Sequence, residues 1–327
     1  MDVRFITSSG AQDHETRDLA ALLKNDDGFT WVDIPAWDDE AESVLTDAFH
    51  LHPLVIDAFR RRNHVPTLHG YEDHFFVTLH APLVGQAGHV HLLELDQVVG
   101  HNFLITAHGP LNPAVDPAEA LTETEAVLRR IRAGRFVPRS PAEVSYAVGS
   151  AIARRQRDLI STVAEKIPDL EGQVMAGDFR RPEALLEEMF LIRHELITAR
   201  TMAAQSCDVY SRISVLERFV PERDQPFVKD LADQFDRVRS IGDGEAQFLF
   251  AVIDLYQTRA STKMTVAMER LAVIAAITLP ITAIASIYGM NMIVNERTHW
   301  GQLTIVVLIM LTISGFLLRW ARRQGWW

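Results

Sequence analysis

Two stretches without a charged residue, both near the C-terminal end, constrain this chain more than anything else in it. The first, Leu271–Met290, reads LAVIAAITLPITAIASIYGM over 20 residues, and the second extends from Thr298 to Leu318. Each is long enough to cross a hydrocarbon core about 30 Å thick as a helix. Only 11 residues, 291–301, separate Met290 from Gln302, so the two spans should form a helical hairpin. Burying both as core helices would need protein around them, and nothing after them supplies it. Neither run sits where a signal peptide would, and the N-terminus shows no targeting pattern.

Charge then sorts the rest of the chain. The net charge is −11, from 43 acids and 32 bases. From Met264 onward stand two acids, Glu269 and Glu296, against Arg270, Arg297, Arg319, Arg322 and Arg323, which leaves residues 1–263 at −14. So acidic a body suits cations and excludes nucleic acid, whose phosphates need a basic face. Lys263 and Arg270 precede the first span and three arginines follow the second, with Arg297 alone between them. The positive-inside rule therefore puts both termini in the cytoplasm and the loop outside, for a multi-pass protein of the inner or plasma membrane. Trp300, Trp320, Trp326 and Trp327 lie near the boundaries, where indoles favour headgroups. A lone Cys207 excludes an intrachain disulfide.

The acidic body has two textures. Val3–Thr7, Phe29–Ile34, Phe75–His80, Val90–Leu95 and Phe103–Ala107 read as strands, rich in β-branched and aromatic residues and separated by turn-forming stretches. Glu40–Arg60 reads as one amphipathic helix and Thr122–Arg132 as another. From about Pro141 the pattern is helical: Ser140–Val174, Arg181–Val215, and then Phe227 to Met290 with a weak point at Gly242-Asp243-Gly244. Leu216–Pro226 reads as a loop. The expected organisation is an α+β cytoplasmic domain at 1–140, a helical region at 141–226 and a stalk helix at 227–264. A first transmembrane helix at 265–290, a loop at 291–301, a second transmembrane helix at 302–321 and a basic tail at 322–327 complete it.

One set of positions along the long helix keeps a single face: Asp254, Gln257, Ser261, Met264, Met268, Leu271, Ala275, Leu279 and Thr282, spaced by three and four. It is polar or acidic at one end, Met and Leu in the middle, and small or hydroxylated at the other. Two readings stand. Small and hydroxylated residues aid close helix packing, or copies of this face surround a water-filled axis. Two spans per chain cannot enclose an ion path, so the second reading requires a ring of subunits. Beyond the span, Gly289 permits a turn and Asn291 offers a neutral carbonyl oxygen. A ring of such carbonyls suits hydrated Mg²⁺, which gives up its waters reluctantly.

Tyr288-Gly289-Met290-Asn291, ending the first of two C-terminal spans with Pro280 upstream, resembles the CorA family of Mg²⁺ channels and transporters, whose signature is Gly-Met-Asn. The similarity extends to FTWVDI, HPLVIDA, RRNHVP…YEDHFFVTLHAP and HNFLITAH, and so spans the chain. The resemblance implies a funnel-shaped homopentamer with an α/β cytoplasmic domain, a long stalk helix continuing into a pore-lining span, and the second span outside it. It implies Gly289, Met290 and Asn291 as the selectivity filter, Thr282, Leu279 and Ala275 as pore-lining, Leu271 and Met268 as a hydrophobic constriction, and Ser261 and Asp254 toward the cytoplasmic mouth. Asp230 resembles one half of an intersubunit regulatory Mg²⁺ site, with Asp96 assigned as its partner. Many members carry Met-Pro-Glu after the tripeptide, where this chain has Met292-Ile-Val-Asn-Glu-Arg, so Glu296 takes the role of attracting cations. Mg²⁺ is the implied cargo and regulator, with Co²⁺ and Ni²⁺ as further ions. A related branch makes Zn²⁺ transport, with proton coupling, the alternative.

Other signals lead elsewhere or nowhere. Ten of 13 histidines fall between His50 and His108, including His50-x-His52 and His89-x-His91, a pattern open to a Zn²⁺ site or to surface and hydrogen-bonded roles. No nucleophile elbow, P-loop or dinucleotide fingerprint is present, so the chain reads as a non-enzyme. A membrane-anchored receptor or enzyme remains the rival and leaves the polar stripe unexplained.

Overall fold

The computed structural model describes residues 1–110, 112–177, 182–215, 220–289 and 300–323. They fall into two compact units, Met1–Val252 and Ile253–Trp327.

The first unit is built on a seven-stranded sheet, ordered β2-β1-β3-β7-β6-β5-β4. Its strands are β1 (Asp2–Thr7), β2 (Gly10–His14), β3 (Phe29–Ile34), β4 (Leu68–Gly70), β5 (His74–Val84), β6 (Val90–Gly100) and β7 (Phe103–Ala107). Only β3 and β7 pair in parallel, which makes the layer α+β as expected. Both faces are covered, so the strands alternate between two cores. Trp31, Val77, Leu79, Leu95 and Leu104 pack against α5 (Thr122–Arg132), α6 (Pro141–Ala164), α8 (Pro182–Val215) and the start of α9 (Gln225–Gly289). Val32, Phe76, Val98 and Ile105 face α1 (Leu19–Leu22), α2 (Asp39–Asp47) and α3 (Pro53–Arg60). Burial on both sides explains why FTWVDI and FLITA read as continuous apolar runs.

Several expected elements are corrected. Glu40–Arg60 is two helices: His50 turns the chain at φ 49°, and Pro53 starts α3 while the His52 ring accepts from the Leu54 amide at 3.2 Å. The periodicity spans the break because both halves bury their apolar faces in one core. Ser140–Val174 likewise divides, α6 ending at Ala164 and α7 running Ile167–Ala176, where Pro168 has no amide to continue the ladder. The strand expected at Val90–Leu95 continues to Gly100, and β5 extends to Val84. Two strands had no apolar signal: β2 (GAQDH) is a polar edge of the sheet, and β4 has three residues.

Gly242 does not weaken α9, which continues through it. A Cβ there would lie 3.1 Å from the Arg200 Cβ and 3.2 Å from Ile160 Cδ1, so the glycine permits close packing, and Asp243 pairs with Arg200 beside it. Gly149 of α6 does the same for Leu231 of α9, whose Cδ2 would stand 2.5 Å from an added Cβ.

The second unit holds the rest of α9 and α10 (Trp300–Arg323).

Candidate functional site

Within the second unit, both helices are long and apolar enough to span a bilayer, and only 6% of each apolar window is buried. The covered positions nevertheless form one stripe on each helix. On α9 from Val273 onward they are Val273, Ile277, Pro280, Ile281 and Ile284, with Ala275 half-buried off that stripe; on α10 they are Val306, Met310, Ile313, Ser314, Leu317, Leu318 and Ala321.

The sequence-derived stripe lies elsewhere. Met264, Met268, Leu271 and Leu279 are 62%, 56%, 71% and 67% exposed, and Asp254, Gln257, Ser261 and Thr282 are exposed as well. Ala275 is half-buried. At about 100° per residue, the set from Met264 to Thr282 centres about 170° from the covered stripe. From 260 to 272 every residue of α9 is exposed, and beyond that segment Leu279 and Thr282, one apolar and one hydroxylated, are exposed opposite the covered stripe.

The hydroxyl chemistry of that face is defined. Thr282 Oγ1 donates to the Thr278 carbonyl at 2.8 Å, and Thr278 Oγ1 donates to the Ile274 carbonyl at 2.9 Å. With its proton engaged along the helix, each hydroxyl turns only lone pairs outward. Such an oxygen accepts from the waters of a hydrated cation. Gly289 is the last residue of α9; Met290, Asn291 and Glu296 lie outside the described residues.

The two regulatory candidates have different surroundings. Asp230 is partly exposed on α9, where Oδ2 accepts from the Tyr146 hydroxyl and from Gln234 Nε2, each at 2.6 Å. These two donors hold its carboxyl below the usual carboxylate range. Asp96 has no exposure: it sits inside the sheet on β6, accepting from Thr78 Oγ1 at 2.6 Å. Burial, with Glu94 beside it, pushes its carboxyl well above the ordinary value. A sealed, proton-holding acid cannot meet an ion between subunits without opening the sheet, so Asp96 is withdrawn as a surface ligand. The two aspartates share no hydrogen-bond partner.

Other acids gather elsewhere, unsignalled by periodicity. The exposed Glu72 and Asp73 and the buried Asp224, with His101, line a cavity of about 210 Å³. The Asp224 carboxylate accepts from Ser140 Oγ at 3.0 Å. The legible signal was the acidic pair in the turn before β5. Among the described residues, no three His, Cys, Asp or Glu side chains are placed to hold a bare metal ion. Of the histidine pairs, His52 caps α3, and His89 packs edge-on to His91 with ring centroids 4.7 Å apart and stacks on His194 of α8 at 6.5 Å.

Comparison with known proteins decides the family. The model of the CorA-like Mg²⁺ transporter proteins matches residues 26–323. The chain belongs to that family. CorA-family proteins are divalent metal ion transporters, and with two candidate spans this one is a membrane protein. The chain is 22% identical over 329 residues to the cobalt/magnesium transport protein CorA of Thermotoga maritima, covering 96% of this chain and 89% of that protein. It is 25% identical over 187 residues to the zinc transport protein ZntB of Pectobacterium atrosepticum, over 55% and 54% of the two chains. The structure of the CorA magnesium transporter from Methanocaldococcus jannaschii superposes with a TM-score of 0.79 at 17% identity, over 100% of this chain and 99% of that one. That CorA likeness spans both the sheet-containing unit and the helix pair.

Proposed function

We propose that five copies of this CorA-family chain form a ring whose axis conducts Mg²⁺, with Co²⁺ and Ni²⁺ as further ions. The observation that carries this reading is the exposure of Met264, Met268, Leu271, Leu279 and Thr282, the last two opposite the covered stripe of α9. Copies of that face around an axis would make a path with hydroxyl oxygens at Thr282 and an apolar narrowing at Leu279, Leu271 and Met268. Asn291, with Gly289 and Met290, would form the entrance ring, holding the ion by its water shell. Glu296 would draw cations toward it, and Asp254 and Ser261 would line the inner mouth. A narrow apolar ring stops conduction by dewetting.

Regulation follows from charge. Residues 1–263 carry a net −14 on what the positive-inside rule makes the cytoplasmic side, with both termini there. At high cytoplasmic Mg²⁺, ions between copies neutralise Asp230 and exposed acids such as Glu72 and Asp73, and the ring stays closed. At low Mg²⁺ the copies repel and the stalk helices, 227–264, separate. The closed state must then bind Mg²⁺ more tightly than the open one.

The similarity to a zinc transport protein supports a second reading, Zn²⁺ as cargo with proton coupling. One experiment separates them. Purified protein in liposomes holding a trapped indicator is given Mg²⁺ outside, beside an Asn291→Ala variant. Mg²⁺ uptake lost in the variant supports the first reading. Uptake of Zn²⁺ alone, driven by a proton gradient, supports the second, and no flux of either ion from an intact oligomer refutes both.

A further inference from the structure

In a body with so large an excess of acid, one cavity is lined by cations and by no carboxylate. It lies between α6 and α9 within the first unit, has a volume of about 360 Å³, and presents Arg154, Arg157, Arg237, Gln234 and Ser150. Spacings of four and three put Ser150, Arg154 and Arg157 on one face of α6, and Gln234 lies one turn from Arg237 on α9. Arg157 pairs with its neighbour Asp158 at 3.3 Å. Arg154 and Arg237 have no carboxylate within 4.0 Å among the described residues. Ser150 Oγ is buried beside the Tyr146 hydroxyl.

Three guanidiniums around one groove make it electropositive in an otherwise acidic body. Their planar forks match phosphate oxygens, two donors to two acceptors. A volume near 360 Å³ is at the small end of ligand pockets, which run about 300–1,000 Å³, and suits a short phosphate chain rather than a whole cofactor. We infer that this groove binds a multiply charged phosphate, of triphosphate size, between Arg154, Arg157 and Arg237.

The site adjoins Asp230. Gln234 lines the groove and also donates from Nε2 to Asp230 Oδ2 at 2.6 Å and to the Tyr146 hydroxyl at 3.1 Å. A phosphate bound beside Gln234 adds negative charge next to Asp230 and strengthens any cation held there. This last consequence rests on the proposed regulatory role of Asp230; the binding itself does not.

The test is calorimetric titration of inorganic triphosphate and of ATP into the detergent-purified full-length protein without Mg²⁺. The expected result is one saturable, salt-sensitive site per chain. Binding should weaken about tenfold for each of Arg154→Gln and Arg237→Gln, and less for Ser150→Ala. All three positions lie at or near the surface, and an unchanged melting temperature checks that the variants fold. Displacement of triphosphate by micelles containing phosphatidic acid would identify a lipid headgroup as the source of the phosphate, and no displacement a soluble one. The inference is overturned by absence of saturable binding, or by binding that the Arg154→Gln, Arg237→Gln double variant leaves unchanged. It is equally overturned if the double variant dissociates the oligomer while triphosphate never binds, which would assign the arginines to contacts between copies. Because the readout is binding, failure here is distinguishable from failure of the conduction reading.

Discussion

Replacing Thr282 by valine removes one oxygen and little else. The side chains are nearly equal in volume, and the hydroxyl's only described bond runs back to the Thr278 carbonyl at 2.8 Å, along its own helix. The carbonyl keeps its helical amide partner, so the helix should survive. The loss falls on whatever the outward lone pairs contact. A hydrogen bond is worth about 0.5–1.5 kcal/mol net. In a five-fold ring an ion loses five such acceptors at one level, and even the low end gives roughly 2.5 kcal/mol, about a 70-fold fall in rate if that level limits conduction. Initial Mg²⁺ uptake into liposomes measures it. Thr304→Val and Thr312→Val on α10 are matched controls, since those hydroxyls donate to the Trp300 and Leu308 carbonyls at 2.8 and 2.7 Å. The reasoning fails if Thr282→Val conducts like the parent, or if the α10 controls lose as much.

Three further outcomes follow from the first unit. Asp230→Ala should weaken the protection from protease that Mg²⁺ confers, shifting its midpoint to higher Mg²⁺; an unmoved midpoint rejects Asp230 as a regulatory ligand. Asp96, held protonated by burial and by Glu94, makes stability fall as pH rises above the ordinary carboxylate range, because the unfolded chain releases a proton that the folded one retains. Asp96→Asn should therefore gain melting temperature over the parent as pH goes from 5 to 8, and an equal difference at both ends contradicts the buried-acid assignment. Gly149→Val would drive a side chain into Leu231 and should cost about 1–3 kcal/mol, read as a lower denaturant midpoint. An unchanged midpoint would mean that α6 and α9 do not approach as closely as described.

The parts legible in the sequence were those where one physical signal dominates. Absence of charge over 20 residues marks a span whatever surrounds it. The strand Phe29–Ile34 was read to the residue because burial on both faces leaves it apolar throughout. Periodicity groups the stripe positions on one side of α9, since a helix carries its own face with it. What failed depended on contacts distant in the chain. Nothing local tells Asp96 from an exposed strand acid, because its burial is made by the layers packed over β6. The edge strand β2 is polar because its backbone pairs with β1 while Asp13 meets Arg132 rather than an apolar core. The break at His50 was hidden because two helices feeding one core keep a common apolar period across the turn. The arginine groove needs α6 and α9 together, about 80 residues apart in the chain.

The central claim, that the stripe on α9 faces a shared water-filled axis, is tested most directly by placing a single thiol on it. In a Cys207→Ser background, Leu279→Cys and Leu311→Cys are made, positions of similar exposure at 67% and 63%. A small charged methanethiosulfonate reagent is added to liposomes conducting Mg²⁺. The account predicts that modification at position 279 blocks uptake and that modification at position 311, on α10, leaves it intact. Uptake that persists with position 279 fully modified, or that stops only when position 311 is modified, would contradict it.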